Sequence, residues 1–209
     1  MLSTLYLAAE DELGLAVGQR LVAEVPPLTV YRAENGRGFG RLKQRVSAFQ
    51  QMGQHMPVLL LTDLDAQPCA ASILADWLGK APSPGFLFRV CVREIEAWLL
   101  AHREAMAKLL RIPIAKLPLQ PELVSDPKRL LIGLAKQAPK RIRTALVPTG
   151  TAAIGPGYND VLVNFVRHDW SPSRAAQSAP SLARARHRLQ QLAERLSAER
   201  HTFSHPEHR

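Results

Sequence analysis

The stretch VLLLTDLD, residues 58–65, constrains the fold more than any other part of the chain. Its aliphatic run does not alternate with polar residues, so it suits a strand covered on both faces, as in a parallel sheet. Parallel strands need crossover connections, usually helices, and the surrounding sequence supplies them. TLYLAA (4–9) predicts a strand, and LGLAVGQRLVAE (13–24) a helix with Leu13, Val17, Leu21 and Val22 on one face. PPLTVYRA (26–33) predicts a second strand, followed by the turn-rich ENGRGFG (34–40) and a helix around 41–53. After the third strand, PVLLLTD (57–63), come a short helix around 70–79 and a fourth strand, FLFRVCV (86–92). This order predicts an α/β fold: a Rossmann-like, mostly parallel four-stranded sheet flanked by helices.

The period-two signal then stops. REIEAWLLAHREAMAKLL (93–110) reads as a helix, and the proline-rich IPIAKLPLQPEL as an irregular link. SDPKRLLIGLAKQ (125–137) announces a helix, with Asp126 placed to cap free backbone amides and Pro127 in the first turn, where no donor is missed. IGPGYNDVLVNFVRHDW (154–170) predicts a turn and a helix in which Tyr158 serves either packing or substrate contact. SAPSLARARHRLQQLAERLSAER (178–200) predicts the longest helix, with Leu182, Leu189, Leu192 and Leu196 at helical spacing. The expected organisation is an α/β domain over 1–100, a helical region over 101–200 packed on it or capping it, and a tail from 201 to 209 whose His201, His205 and His208 are solvated.

Composition bears on partners. A formal net charge of +9, from 27 Lys plus Arg against 18 Asp plus Glu, suits a polyanion, nucleic acid first, although charge also serves solubility. Cys69 and Cys91 lack CxxC spacing, which predicts neither a disulfide framework nor a zinc knuckle and fits a reducing cytoplasm. No run approaches the ~20 apolar residues of a membrane span, so no membrane partner is expected. NGRGFGRLK (35–43) lacks the GxxxxGK[ST] pattern and reads as a flexible loop whose Arg37 and Arg41 could touch phosphate. No ATP site is legible.

The acids that close the strands carry the chemistry. In an extended chain residues two apart point the same way, so Asp63 and Asp65 are expected to share a face. Two desolvated carboxylates side by side repel, and a divalent cation such as Mg²⁺ or Mn²⁺ relieves that conflict. The carboxyl ends of parallel strands are also where ligands gather. The plain alternative is that both acids cap a turn. Glu10, closing the first strand, would face the pair if strands 1 and 3 are neighbours, whereas Asp11 and Glu12 suit a helix start. Glu94 and Glu96 follow strand 4. Two residues apart on a helix they would diverge, so one of them, Glu96 for preference, is expected to complete the metal site; otherwise they pair with Arg89 or Arg93. From Lys128 to Arg143 the chain carries Lys128, Arg129, Lys136, Lys140, Arg141 and Arg143 with no acid, a candidate surface for a phosphate backbone or simply a solvated face. Lys128, at a helix start, is the candidate to neutralise charge in a transition state.

A first-strand glutamate followed by an aliphatic strand ending in DxD resembles the TOPRIM domain of topoisomerases, primases and OLD-family nucleases. AEDELGLAVGQRLV, LLLTDLD, FRVCVREIEAWLLA and DPKRLL in this order are similar to stand-alone bacterial TOPRIM-like proteins, kin to the OLD and RloB groups, found near defence genes. The resemblance implies Glu10 as the first acid, Asp63 and Asp65 as the metal pair, a nuclease acting on nucleic acid, and a separate ATPase partner where ATP is needed; between the nucleic acids, DNA is expected ahead of RNA. It leaves a homo-oligomer open. The glycine that usually follows the first glutamate is Asp11 here, which argues against topoisomerase-like strand handling. The rival expectation is a non-catalytic nucleic-acid-binding or regulatory partner that keeps the fold. A haloacid-dehalogenase phosphatase, which DLD also suggests, would need the motif on the first strand.

Overall fold

Four strands, β1 (Ser3–Ala9), β2 (Leu28–Asn35), β3 (Val58–Asp63) and β4 (Phe86–Cys91), form one all-parallel sheet in the order β2-β1-β3-β4. The computed structural model describes residues 3–79 and 81–203, with side chains as far as 199. The predicted tail overlaps the last helix up to residue 203; the His201 side chain, His205 and His208 lie outside the described residues.

Each strand divides its side chains between two cores, as the period of two requires. Leu5, Leu7, Leu59, Leu61, Leu87 and Cys91 enter one cluster, while Tyr6, Ala8, Val58, Leu60, Phe86 and Phe88 enter the other. Val58 to Leu61 are at most 1% exposed, which accounts for their unbroken apolar run. The first face is covered by α1 (Glu12–Ala23), and the second by α2 (Phe39–Gln44), α3 (Val46–Met52) and α4 (Ala70–Trp77).

The helices of the second half, α5 (Ile95–Ala101), α6 (Arg103–Leu110), α7 (Pro127–Ala135), α8 (Lys140–Leu146), α9 (Tyr158–His168), α10 (Pro172–Ala175) and α11 (Pro180–Phe203), share the first core. There α9 packs on α1, α7 on α5 and α11 on β4. Trp98 and Trp170 are fully buried in it, and their indole N–H groups are satisfied: Trp98 donates to Ser181 Oγ at 2.7 Å and Trp170 to the carbonyl of Trp98 at 3.0 Å.

Three elements differ from expectation. The second strand starts at Leu28, past Pro26 and Pro27, and pairing with β1 carries it on to Asn35. The helix expected around 41–53 is two helices meeting at Arg45. The helix expected over 93–110 breaks at His102, whose ring Nδ1 accepts the Ser171 N–H at 3.0 Å. A contact across 69 residues thus overrides a continuous helical pattern.

Candidate active site at the carboxyl ends of the strands

In this strand order the chain leaves β1 toward β2 on one side, and β3 lies on the other, so the crevice beyond β1 and β3 is the topological switch point. Glu10 follows β1 directly and leans over the end of β3. Its Oε1 accepts hydrogen bonds from the Thr62 hydroxyl and from the Asp63 N–H, the latter at 2.9 Å. Asp11 is extended and caps α1 by accepting the Gly14 N–H at 2.8 Å, so its carboxylate serves the helix start. The glycine loop expected to be flexible is pinned against this turn: Gly36 donates to the Ala9 carbonyl at 2.7 Å and Gly38 to that of Glu10 at 2.9 Å. A Cβ at Gly36 would stand 2.6 Å from Leu42 Cδ1.

Asp63 and Asp65 reach the site by a turn rather than by continued strand. β3 ends at Asp63, opposite Cys91, and the chain then turns: Leu64 N–H donates to the carbonyls of Cys91 and Arg93, and Asp65 N–H to that of Arg93, all at 2.9 Å. Asp65 has φ 49°, in the left-handed region that aspartate tolerates better than most residues. Both aspartates, with Glu10, Cys91 and Lys128, line a cavity of about 150 Å³.

Glu94 and Glu96 both come to Lys128. Glu94 precedes the first turn of α5 in extended backbone, so the divergence expected of two helical residues does not apply. Its Oε2 accepts the Lys128 backbone N–H at 2.9 Å, and its Oε1 lies 3.8 Å from Lys128 Nζ. Glu96 is 1% exposed; its Oε1 accepts the Tyr158 hydroxyl at 2.9 Å and lies 3.7 Å from Lys128 Nζ. Its Oε2 is buried without a hydrogen-bond partner among the described residues. The alternative ion pairs to Arg93 and Arg89 are not made among the described residues: Arg93 donates instead to the carbonyls of Asp65 and Gln67, at 3.2 and 3.0 Å.

The charges do not balance. Burial, then Glu96, Glu10 and Asp65, push the Asp63 carboxyl well above the ordinary aspartate range, with Lys128 opposing. Burial also raises Glu10, against its hydrogen bonds from Thr62 and Asp63, and raises Glu96, against Lys128. Burial alone would lower Lys128, but Glu96, Glu94 and Asp63 outweigh it and hold the ammonium protonated. Hard oxygen donors with uncompensated charge and an orphaned buried oxygen are the donor chemistry of a divalent cation. Their donor atoms stand apart: among the described residues no three His, Cys, Asp or Glu side chains form a group that could hold an ion.

Two participants were not identified from sequence. Thr62 sits inside the aliphatic run, where a hydroxyl is the one polar signal. Tyr158, which the sequence allows either in packing or against substrate, bonds a carboxylate 62 residues away. Of the basic segment, Lys128 and Arg129 on α7 and Lys136 just past its end line a groove of about 510 Å³ that shares Lys128 with the acidic cavity. Comparison of the chain with family models, with curated proteins and with solved structures found no match.

Proposed function

We propose that this chain is a divalent-metal-dependent nuclease of TOPRIM-like type, cleaving phosphodiester bonds in nucleic acid, with DNA favoured over RNA. The observation that supports the reading is one cavity at the sheet's switch point lined by Glu10, Asp63, Asp65 and Lys128, with Glu96 Oε1 3.7 Å from the Lys128 ammonium. Glu10, Asp63 and Asp65 would hold Mg²⁺ or Mn²⁺, with Glu96 or Glu94 completing the set. The chemistry it would supply there is polarisation of the scissile phosphate and activation of a water. Lys128 faces the same cavity and neutralises charge that develops on the phosphate. Tyr158 holds the Glu96 carboxylate in place. Lys128, Arg129 and Lys136 grip the backbone without reading bases. A role in bacterial defence, beside a separate ATPase, follows from the sequence resemblance alone.

The test is incubation of the protein with single- and double-stranded DNA and RNA in Mg²⁺, Mn²⁺ or EDTA, beside Asp63→Ala and Asp65→Ala. Metal-dependent cleavage lost by about 100-fold or more in both variants is expected. Binding without variant-sensitive cleavage would instead identify a regulatory nucleic-acid partner.

A further inference from the structure

A second charged cluster lies away from the acids, on the β4 edge of the sheet. Arg89 is on β4, the last strand, and its side chain leaves on the face of Leu87 and Cys91, toward the helical half. Along that edge α11 runs antiparallel to β4. Near its start Ser181 Oγ accepts the Val92 N–H at 3.4 Å, and two-thirds of the way along Arg195 donates to the Pro84 carbonyl at 2.7 Å. Between these anchors the helix advances roughly 21 Å, at about 1.5 Å per residue. The strand covers about 26 Å, at about 3.3 Å per residue. Arg184 and Arg188, one turn apart and both exposed, therefore bracket Arg89.

Among the described residues these cations lack carboxylate partners. Arg89 Nε is buried with no hydrogen-bond partner, and among the described residues none of the three guanidinium groups forms an ion pair. Among the described residues Arg188 bonds the neutral side chain of Gln191, at 3.0 Å. Arg186, on the same helix, shows the contrast: it pairs with Glu24 at 3.0 Å. Burial, then the neighbouring charges of Arg188 and Arg184, hold the Arg89 guanidinium below its ordinary range. Like charges gathered around a half-buried donor are unfavourable until an anion joins them. A carboxylate offers two oxygens, whereas a phosphate offers enough for three guanidinium forks.

We infer that Arg89, Arg184 and Arg188 form a phosphate-binding site on the β4–α11 edge, filled by a backbone phosphate of a bound nucleic-acid strand or by a free phosphate. Its place suits the first source, because Arg89 precedes the cavity-lining Cys91 by two residues, roughly 7 Å of strand. A chain leaving the acidic crevice across the sheet edge would pass over it. The site needs no metal, so its occupancy is separable from the proposed chemistry.

The experiment uses the full chain in EDTA and the double variant Arg184→Gln/Arg188→Gln, whose positions are exposed and leave the core intact. In one arm, anisotropy of a labelled single-stranded DNA oligonucleotide is followed between 50 and 200 mM NaCl, a range of about fourfold in salt. The variant is expected to bind more weakly and to lose about 1–2 from the slope of log K against log salt. In the other arm, inorganic phosphate is expected to raise the Tm of the wild type and not of the variant. A change in the oligonucleotide arm assigns the backbone phosphate as ligand, and a change in the phosphate arm alone assigns free phosphate. Unchanged affinity, slope and phosphate response would overturn the inference. Both arms are read in EDTA and neither measures cleavage, so failure of the nuclease reading is distinguishable from failure of this one.

Discussion

Replacing Tyr158 by Phe tests whether the helical half holds the acidic site together. The phenol is 2% exposed and donates at 2.9 Å to Glu96 Oε1, the only hydrogen bond from another side chain that this buried carboxylate accepts among the described residues. Without it, Glu96 keeps Lys128 at 3.7 Å and nothing closer of opposite charge. Losing a hydrogen bond to a charged group costs about 1.5–3 kcal/mol. At about 2–4 °C per kcal/mol for a chain of this size, the Tm should fall by about 3–12 °C at neutral pH. The sign with pH follows from Glu96, whose folded pKa is raised, chiefly by burial, above the ordinary 4.5. A raised carboxyl makes the folded state lose stability as pH climbs from the unfolded value through the folded one. Removing the donor lifts that folded pKa further and so deepens the loss. Below the ordinary value both proteins hold a protonated Glu96, and the gap should shrink to that of a neutral hydrogen bond, about 0.5–1.5 kcal/mol. Thermal melts of both proteins from below the ordinary value of 4.5 up through neutral pH read this directly. A variant that melts with the wild type at neutral pH, or a gap independent of pH, would refute the reasoning.

Asp63→Asn should raise the Tm of the metal-free protein at alkaline pH, because the folded carboxylate is disfavoured by burial and by Glu96, Glu10 and Asp65; the gain should fade as pH drops toward the ordinary value of 3.8. A lower Tm in EDTA would contradict it. Lys128→Met should destabilise by about 1 kcal/mol at neutral pH, less than a fully buried pair would lose because the lysine side chain is 40% exposed. Urea denaturation measures it, and no change in midpoint would show that the ammonium does not offset Glu94 and Glu96. Gly155→Ala should cost about 1–3 kcal/mol, since the added Cβ would lie 2.2 Å from the Ala145 carbonyl oxygen; an unshifted thermal midpoint would show that the α8–α9 turn yields freely.

Much of the scaffold was legible because its signals are local. Unbroken burial of Val58 to Leu61 follows from their composition, and Asp126 caps α7 through the Arg129 N–H at 2.7 Å with Pro127 in the first turn, as the tripeptide announces. The candidate acids Glu10, Asp63 and Asp65 line one cavity, which the order of strand-terminal acids suggested. Asp65 lies beyond the reach of that pattern. Period-two logic ends where the strand ends, and a left-handed turn held by the Arg93 carbonyl, 28 residues on, takes over.

The amino-acid order by itself determined the parallel sheet and most of its helices, because periods of two and 3.6 are written into short windows of side chains. Tertiary structure decided which polar groups meet. The break at His102, the hydrogen bond from Tyr158 to Glu96 and the bracketing of Arg89 by α11 each join residues more than 60 positions apart. Such meetings depend on how helices dock, through a core that accepts any well-packed apolar surface, and no local pattern carries that information.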